Sequence, residues 1–290
     1  MTADISVIDE WITTDDGYSL FTKTWKPASK PIANVVMIHG FGEHIGRYNR
    51  LFTYFAQNDV QAYGYDQRGW GQSGKKAHEF GNNHGYNTAL SDINNAIKRN
   101  KIADTPLFLI GHSMGGALVL NYLVRRFDGL ELLTGAISSA PLVTLSMPVS
   151  PFRYYPLIMA SKVLPSFVIQ VGMDASAVSH DEKEIEEYNS DPLIHDYATL
   201  GTLSGFLDAG KALLKDASKI ETPILYSHGT TDPVNDFKGT KTAYEITSSK
   251  DKELKAWDGL FHELHNETLP ERQQVTDYYL EWIKARIPSP

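Results

Sequence analysis

The 290-residue chain contains no cysteine. That excludes disulfides, thiolate nucleophiles and cysteine-ligated metal sites, and it removes the usual clue to redox compartment. The chain also lacks any apolar run approaching the ~18 residues of a spanning helix. It has no block rich in lysine and arginine. Its 27 basic residues against 35 acidic ones leave a formal charge of −8, which argues against a general nucleic-acid binder. The start, Met1-Thr2-Ala3-Asp4-Ile5, has neither the basic cluster nor the apolar core of a signal peptide. The expectation is a cytoplasmic protein whose contact with membranes or lipid droplets is peripheral. There is no internal repeat and no low-complexity segment. What remains is ordinary for a globular protein, 42% hydrophobic and 21% charged, and long enough for one large domain or for one domain with an insertion.

The pattern along the chain alternates between strands and helices. Val7 to Thr13 and Leu20 to Lys26, separated by Asp15-Asp16-Gly17, read as an antiparallel hairpin. Short buried strands follow at Val35–Ile38, Val60–Tyr65, Leu107–Ile110, Ala136–Ser139, Ile224–Tyr226 and Glu253–Trp257. Helical spacing marks Arg47–Asn58, Thr88–Lys101, Gly116–Phe127 and Gln273–Ala285. Repeated β-α units predict an α/β fold with a mainly parallel sheet and helices on both faces. The alternation breaks between about Leu142 and Gly210, where Pro148, Pro151, Pro156 and Pro165 cut the chain into short pieces. This predicts a core of 1–141 and 211–290 carrying a helical cap, 142–210, over the C-terminal edge of the sheet, where ligands bind in open α/β sheets.

The chemistry centres on Gly111-His112-Ser113-Met114-Gly115, placed between a strand and a helix. A serine hydroxyl is a weak nucleophile and must stand alone within reach of a base. A sharp strand-to-helix turn presents it, and glycines two residues either side let the backbone turn without clashes. The Met114 N–H then points to where an oxyanion would form, at the positive end of the new helix. The base needs an orienting carboxylate, and in this fold class the order is serine, acid, histidine. Asp232 follows the strand Ile224–Tyr226 in a loop stiffened by Pro233. Of ten histidines, His262 and His265 lie beyond the last strand. The short glycine-containing loop ahead of His262 suits a base at the strand edge, with His265 as the alternative. His262-Glu263-Leu264-His265 lacks the spacing of an H-E-x-x-H pair, so no metal is expected. The loop His39-Gly40-Phe41-Gly42-Glu43-His44 lets the Phe41 N–H serve as second oxyanion donor; it has no phosphate-loop lysine. Asp66 and Arg68, in Asp66-Gln67-Arg68-Gly69-Trp70-Gly71, read as loop scaffold.

Together these segments resemble the monoacylglycerol lipase branch of the α/β-hydrolases. The resemblance rests on His39 to His44 with Arg47-Tyr48, Asp66 to Ser73, Gly111-His112-Ser113-Met114-Gly115-Gly116, His228-Gly229-Thr230-Thr231-Asp232-Pro233, and His262-Glu263-Leu264 with Asn266-Glu267. It covers the chain outside the cap and is nearest to fungal members. It implies cofactor-free hydrolysis of monoacylglycerols to fatty acid and glycerol, with an acyl tunnel under the cap and a small polar pocket. Glu43 and Arg47 match positions near that polar end, where they bind glycerol hydroxyls or pair with one another across one helical turn. A broader carboxylesterase or lysophospholipase, and a non-catalytic lipid carrier on the same fold, are the alternatives.

The expected cap adds an independent argument. Leu145 to Met173 contains no aspartate or glutamate, but it holds Arg153 and Lys162 among many large apolar residues. In an acidic protein that local reversal suits contact with a lipid interface, and the same residues suit lining an acyl tunnel.

Overall fold

A computed structural model describes residues 4–147 and 149–288. Pro148, one of the expected breaks in the insertion, and the first three residues lie outside this range. The chain opens with β1 (Ile5–Thr13) and β2 (Ser19–Pro27) and continues through β3 (Ala33–Ile38), α1 (Asn49–Gln57) and β4 (Val60–Tyr65). Next come α2 (Gly71–Ala77), α3 (Tyr86–Arg99), β5 (Leu107–His112), α4 (Met114–Arg125) and β6 (Gly135–Ser139). The segment between β6 and β9, expected as the insertion, carries α5 (Pro151–Val163), β7 (Val168–Gln170), α6 (Glu182–Ser190) and β8 (Tyr197–Thr199), and leads into α7 (Leu200–Asp216). The chain closes with β9 (Ile224–Gly229), α8 (Phe237–Ile246), β10 (Lys252–Trp257) and α9 (Glu271–Lys284).

The eight-stranded sheet has the order β1-β2-β4-β3-β5-β6-β9-β10. Strands β4, β3, β5, β6, β9 and β10 pair in parallel, while β1 and β2 form an antiparallel edge, β2 running antiparallel to β4. The expected hairpin and parallel sheet are both present. Alternation along the central strands feeds two cores. Val36 and Ile38 of β3, with Leu107 and Leu109 of β5, pack against Leu90 and Ile93 of α3 and Leu118 of α4. Val35 and Met37, with Phe108 and Ile110, pack on Phe52 and Phe55 of α1 and Tyr279 and Ile283 of α9. Side chains two apart share a face of a strand, so apolar runs without alternation are what a sheet covered on both faces requires.

The departures from the sequence reading are local. The first helix starts with a 3-10 turn, Ile45–Tyr48, before α1. α4 begins at Met114 rather than Gly116, directly after Ser113. α2 and α8 are additional helices. α2 is short and contains Gly71 and Gly74, which weaken a helical pattern. Within the insertion, β7 and β8 pair as a small antiparallel sheet of their own. α7 runs on past residue 210 to Asp216, and its Phe206 and Leu213 join the core under α4.

Candidate active site

Ser113 stands in the turn between β5 and α4 with φ +55° and ψ −117°. A non-glycine residue in such a conformation carries about 1–3 kcal/mol of strain and persists only where its surroundings hold it. Here the Ser113 N–H donates to the Ser139 carbonyl at 2.9 Å, and its carbonyl accepts from Leu142 N at 3.0 Å and Ala117 N at 3.0 Å. The turn also passes close to other backbone. A Cβ on Gly111 would lie 2.3 Å from the Gly115 carbonyl oxygen, and one on Gly115 would lie 2.1 Å from that of Ile38. No side chain fits at either place, so the glycines flanking the serine are fixed by packing.

Asp232 and His262 come together as buried partners. His262 Nδ1 lies 2.7 Å from Asp232 Oδ2. The other carboxylate oxygen, Oδ1, accepts from Val234 N at 2.8 Å and Asn235 N at 3.0 Å. Burial alone would raise the Asp232 pKa, but the His262 charge and hydrogen bonds from His228 and His262 outweigh it and hold the carboxyl well below its usual range. Burial pulls His262 down while Asp232 pulls it up, and the net shift is upward. The Asn235 side-chain amide reaches Ser113 Oγ at 3.4 Å and the Ala140 carbonyl at 2.8 Å, joining the serine turn to the Asp232 loop. His112, beside Ser113, packs its ring 4.7 Å from that of His262. Its pKa is held well below the ordinary imidazole value by burial and then by His262. His265, the alternative base, lies stacked on Tyr48 at 4.7 Å, and its pKa is lowered to about 4 mainly by burial. Of the two candidates, His262 is therefore the one that meets the Asp232 carboxylate.

The loop after β3 reaches the same edge of the sheet. His39 is buried and ties this loop to the next: Nδ1 meets the Gly40 carbonyl at 2.7 Å, and Nε2 accepts from Gln67 N at 2.9 Å. The Phe41 N–H has no acceptor among the described residues, and Met114, the first residue of α4, has no intrahelical acceptor for its own N–H. Asp66 and Arg68 serve the scaffold, as expected. Asp66 accepts from Ile45 N at 2.8 Å and Gln72 N at 2.6 Å, and Arg68 binds Asp92 and Asp16.

Glu43 and Arg47 do pair across one turn, at 3.3 Å, but within a larger array. Glu43 Oε1 accepts from Gly40 N at 2.6 Å and from the Tyr48 hydroxyl at 2.7 Å. Arg47 also grips Glu263 with both terminal nitrogens, Nη2 to Oε2 at 2.8 Å and Nη1 to Oε1. The loop carrying Phe41 is thereby bound to the loop carrying His262. Burial pushes the Glu43 carboxyl up despite Arg47, whereas Arg47 holds Glu263 well below the usual range against the effect of burial. Glu267, also buried, accepts from Phe261 N at 2.7 Å and meets His180 of the insertion at 3.1 Å. Sequence reasoning placed Glu43 and Arg47 near the site. It missed Glu263, Asn235, His228 and Glu267 as partners; the Arg47–Glu263 contact, 216 positions apart, has no local signature, and the other three sit in loops or strand ends whose side-chain directions local spacing does not give.

A family model described as serine aminopeptidase, S33, matches residues 29–269. A Schizosaccharomyces pombe protein named putative monoglyceride lipase is 33% identical over 268 residues, which is 91% of this chain and 71% of that protein. The chain belongs to the monoglyceride lipase family of α/β-hydrolases. An uncharacterised abhydrolase domain-containing protein of Dictyostelium discoideum is 35% identical over 278 residues, and this chain spans 29% of its length. The fold is that of the solved soluble variant of Saccharomyces cerevisiae monoglyceride lipase bound to a substrate analogue. The TM-score is 0.87 at 24% identity, covering 100% of this chain and 98% of the other. The S33 match spans the Phe41 loop, the Ser113 turn, Asp232 and His262.

The Glu43–Arg47–Glu263 array yields a prediction about stability. Arg47→Met leaves a buried carboxylate without its cation, and such losses cost about 3–5 kcal/mol. The thermal midpoint of unfolding should fall by several degrees. An unchanged midpoint would show that Glu263 finds another partner or is solvated.

Proposed function

We propose that the protein hydrolyses the ester bond of monoacylglycerols to fatty acid and glycerol through a Ser113–His262–Asp232 triad. The observation that carries this reading is the buried His262–Asp232 pair, whose loop is joined through Asn235 to a serine held at positive φ. Relatives named monoglyceride lipase, matched over nearly the whole chain, supply the substrate class.

In this mechanism His262 takes the Ser113 proton as Oγ attacks the ester carbonyl carbon. Asp232 holds the imidazole tautomer and stabilises the imidazolium. The Phe41 and Met114 amides receive the oxyanion, each worth roughly 3 kcal/mol in the transition state. His262 then protonates the departing glycerol oxygen, and the acyl group remains on Ser113. Water, deprotonated by His262, attacks the acyl-enzyme and releases the fatty acid. No step calls for a metal or a cofactor.

The surroundings fit an amphipathic ester. A cavity of about 320 Å³ is lined by Leu142, Val143, Leu145, Tyr154, Tyr155 and Phe206 among others. Leu142, one of its lining residues, also holds the Ser113 carbonyl through its N–H, and the largely apolar lining suits an acyl chain. Arg47 lines a polar cavity of about 380 Å³ with His44, Arg50, Glu184 and Asp191. Since Glu43 is fully enclosed by its partners, its role is to hold the Phe41 loop, and Arg47 is the member of the pair placed to meet a glycerol hydroxyl.

The same proposal assigns residues 142–210 as a cap that meets lipid. On α5, Phe152 (92% exposed), Tyr155 (66%), Met159 (64%) and Val163 (76%) follow helical spacing and share one outward face. Arg153 and Lys162, both exposed, add positive charge. Leu157 and Ile158 are half-buried, so the contacting face is that of Phe152 and Met159. An exposed apolar face flanked by cations suits an anionic lipid surface. Among the described residues no helix is long and apolar enough to cross a membrane.

Three outcomes test this reading. Purified protein should release glycerol and fatty acid from monoacylglycerol faster than from diacylglycerol, triacylglycerol or lysophosphatidylcholine, and Ser113→Ala should abolish release while the circular dichroism spectrum stays unchanged. Comparable rates on every ester would reduce the protein to a general esterase, and residual activity in the variant would mean another nucleophile. The pH profile follows from His262. A general base works unprotonated, and the pull of Asp232 raises its pKa above 6.5; protonation therefore persists to higher pH, and the acid limb of kcat/KM should centre above pH 6.5. A limb at or below that value would contradict the ion-pair geometry. Finally, Phe152→Asp combined with Met159→Asp should reduce co-sedimentation with anionic phospholipid vesicles. Unaltered binding by the folded double variant would remove α5 as the docking face.

A further inference from the structure

Asp232 carries a second imidazole. His228, in β9, is completely buried. Its Nε2 lies 2.9 Å from Asp232 Oδ2 and 3.1 Å from the Asn235 carbonyl. Both are acceptors, so Nε2 carries the hydrogen. Its Nδ1 lies 2.7 Å from Thr240 Oγ1 on α8, a hydroxyl able to donate to it. A neutral ring thus satisfies both of its nitrogens. The Oδ2 that receives His228 is the same oxygen that receives His262, at 2.7 Å. With two backbone amides on Oδ1, the carboxylate has four donors, and the two imidazoles share one oxygen.

We propose that His228 is a positioning residue for the triad: it fixes the rotation of the Asp232 carboxylate and tempers its pull on His262. The proposal rests on the triad reading above. The terminal torsion of an aspartate is broad and roughly two-fold, so a buried carboxylate needs donors on both oxygens to keep one orientation. The amides hold Oδ1, and His228, braced by Thr240, holds Oδ2 where His262 meets it. The charge follows the same geometry. A donor on Oδ2 stabilises the carboxylate without His262, and so reduces what the carboxylate gains when His262 becomes imidazolium. Removing that donor leaves more uncompensated charge facing His262 and favours its protonated form.

The charged and titratable groups around His262 are Asp232 from the loop after β9, His112 from the end of β5, His265 three residues on, and, at longer range, Glu263 and Glu43. His228 faces Asp232 together with the neutral Thr240 and Phe237 of α8. A histidine that merely fills the core would affect stability and leave the titration of His262 alone.

The test is the pH dependence of kcat and kcat/KM on a soluble short-chain chromogenic ester. His228→Leu should lower kcat about 10- to 100-fold, the scale for a misplaced catalytic group, with KM little changed, and should move the acid limb to higher pH. His228→Gln, whose amide can donate to Oδ2, should recover part of both. Should His228→Leu fail to fold by circular dichroism, Thr240→Val carries the test: it removes only the hydroxyl on Nδ1 and should shift the acid limb in the same direction. Wild-type kcat and an unmoved limb in a folded variant overturn the proposal, and so does a lowered kcat with an unmoved limb. Asp232→Asn and Ser113→Ala in the same assay separate the two readings. If they are inactive while the His228 and Thr240 variants match wild type, only the role of His228 fails. If they retain activity, the triad fails and the role of His228 with it.

Discussion

The backbone of Ser113 is the constraint around which this molecule is arranged. At φ +55° the serine cannot be held by local preference, because that region is strained for a residue with a side chain. It is held by its neighbours in the sheet: the Ser139 carbonyl at the end of β6, Leu142 N just beyond, and the first turn of α4. That demand explains why β5 sits between β3 and β6, why glycine occupies positions 111 and 115, and why α4 is buried along most of its length. Each of these elements packs on both sides, so the strain is opposed by a large buried surface rather than by one contact. The oxyanion donors proposed at Phe41 and Met114 follow from the same close packing, since the Gly115 backbone touches the Ile38 carbonyl at the end of β3.

Around the serine the structure buries more charge than a hydrophobic core tolerates without compensation. Glu43, Glu263, Glu267 and Asp232 are all buried, Arg47 among them is nearly so, and every one of these carboxylates has directed donors. Such arrays add little net stability, because desolvation offsets most of the attraction. Their geometric effect is larger. Each joins two loops that leave different strands: Glu43–Arg47–Glu263 links the loop after β3 to the loop after β10, and Asp232 with Asn235 links the loop after β9 to the serine turn. Loops held by charge-assisted bonds on both sides keep their spacing without secondary structure of their own, which catalysis by fixed donors requires.

The strands were legible because burial on both faces leaves uninterrupted apolar runs such as Leu107-Phe108-Leu109-Ile110, and the serine turn because its glycines are fixed by close approach. The expected order of serine, acid and histidine placed Asp232 and His262 at adjacent strand ends, and the structure brings those two into hydrogen-bond contact. The helix starts were less legible. Met114 begins α4 two residues early because tertiary packing tolerates Gly115 and Gly116, which a pattern of apolar residues passes over. α2 escaped notice for the same reason, its glycines being required by contact with Gly69 and Asp66 rather than by turning. The second partner of Arg47, Glu263, was invisible because a glutamate 216 positions away has no signature in local spacing. A histidine ending an apolar strand, as His228 does, reads as core until the carboxylate it faces is known.

The insertion divides charge and apolar surface between its two halves, and that division bears on how an ester would reach the serine. The α6 half is tied to the core by a hydrogen bond between Asp191 and His44 at 2.8 Å and by ion pairs of Glu184 with Arg50 and of Asp181 with Arg272 at 3.2 Å. Backbone bonds reinforce it, from Glu263 N to the Val178 carbonyl and from His195 N to the Gly42 carbonyl. Helix α5 itself buries one residue, Ser161, and turns its large side chains outward beside the cavity lined by Leu142 and Tyr154. Displacing α6 would break several partly buried ion pairs, whereas displacing α5 would forfeit mainly a modest area of apolar contact. A lipid surface that accepted Phe152 and Met159 would compensate for that loss, because apolar area removed from water is favourable whether the cover is protein or acyl chain. Opening on the α5 side would therefore leave the loops around His262 and Phe41 in place, so under the proposed function admission of substrate and alignment of the reacting groups would fall to different halves of the same segment.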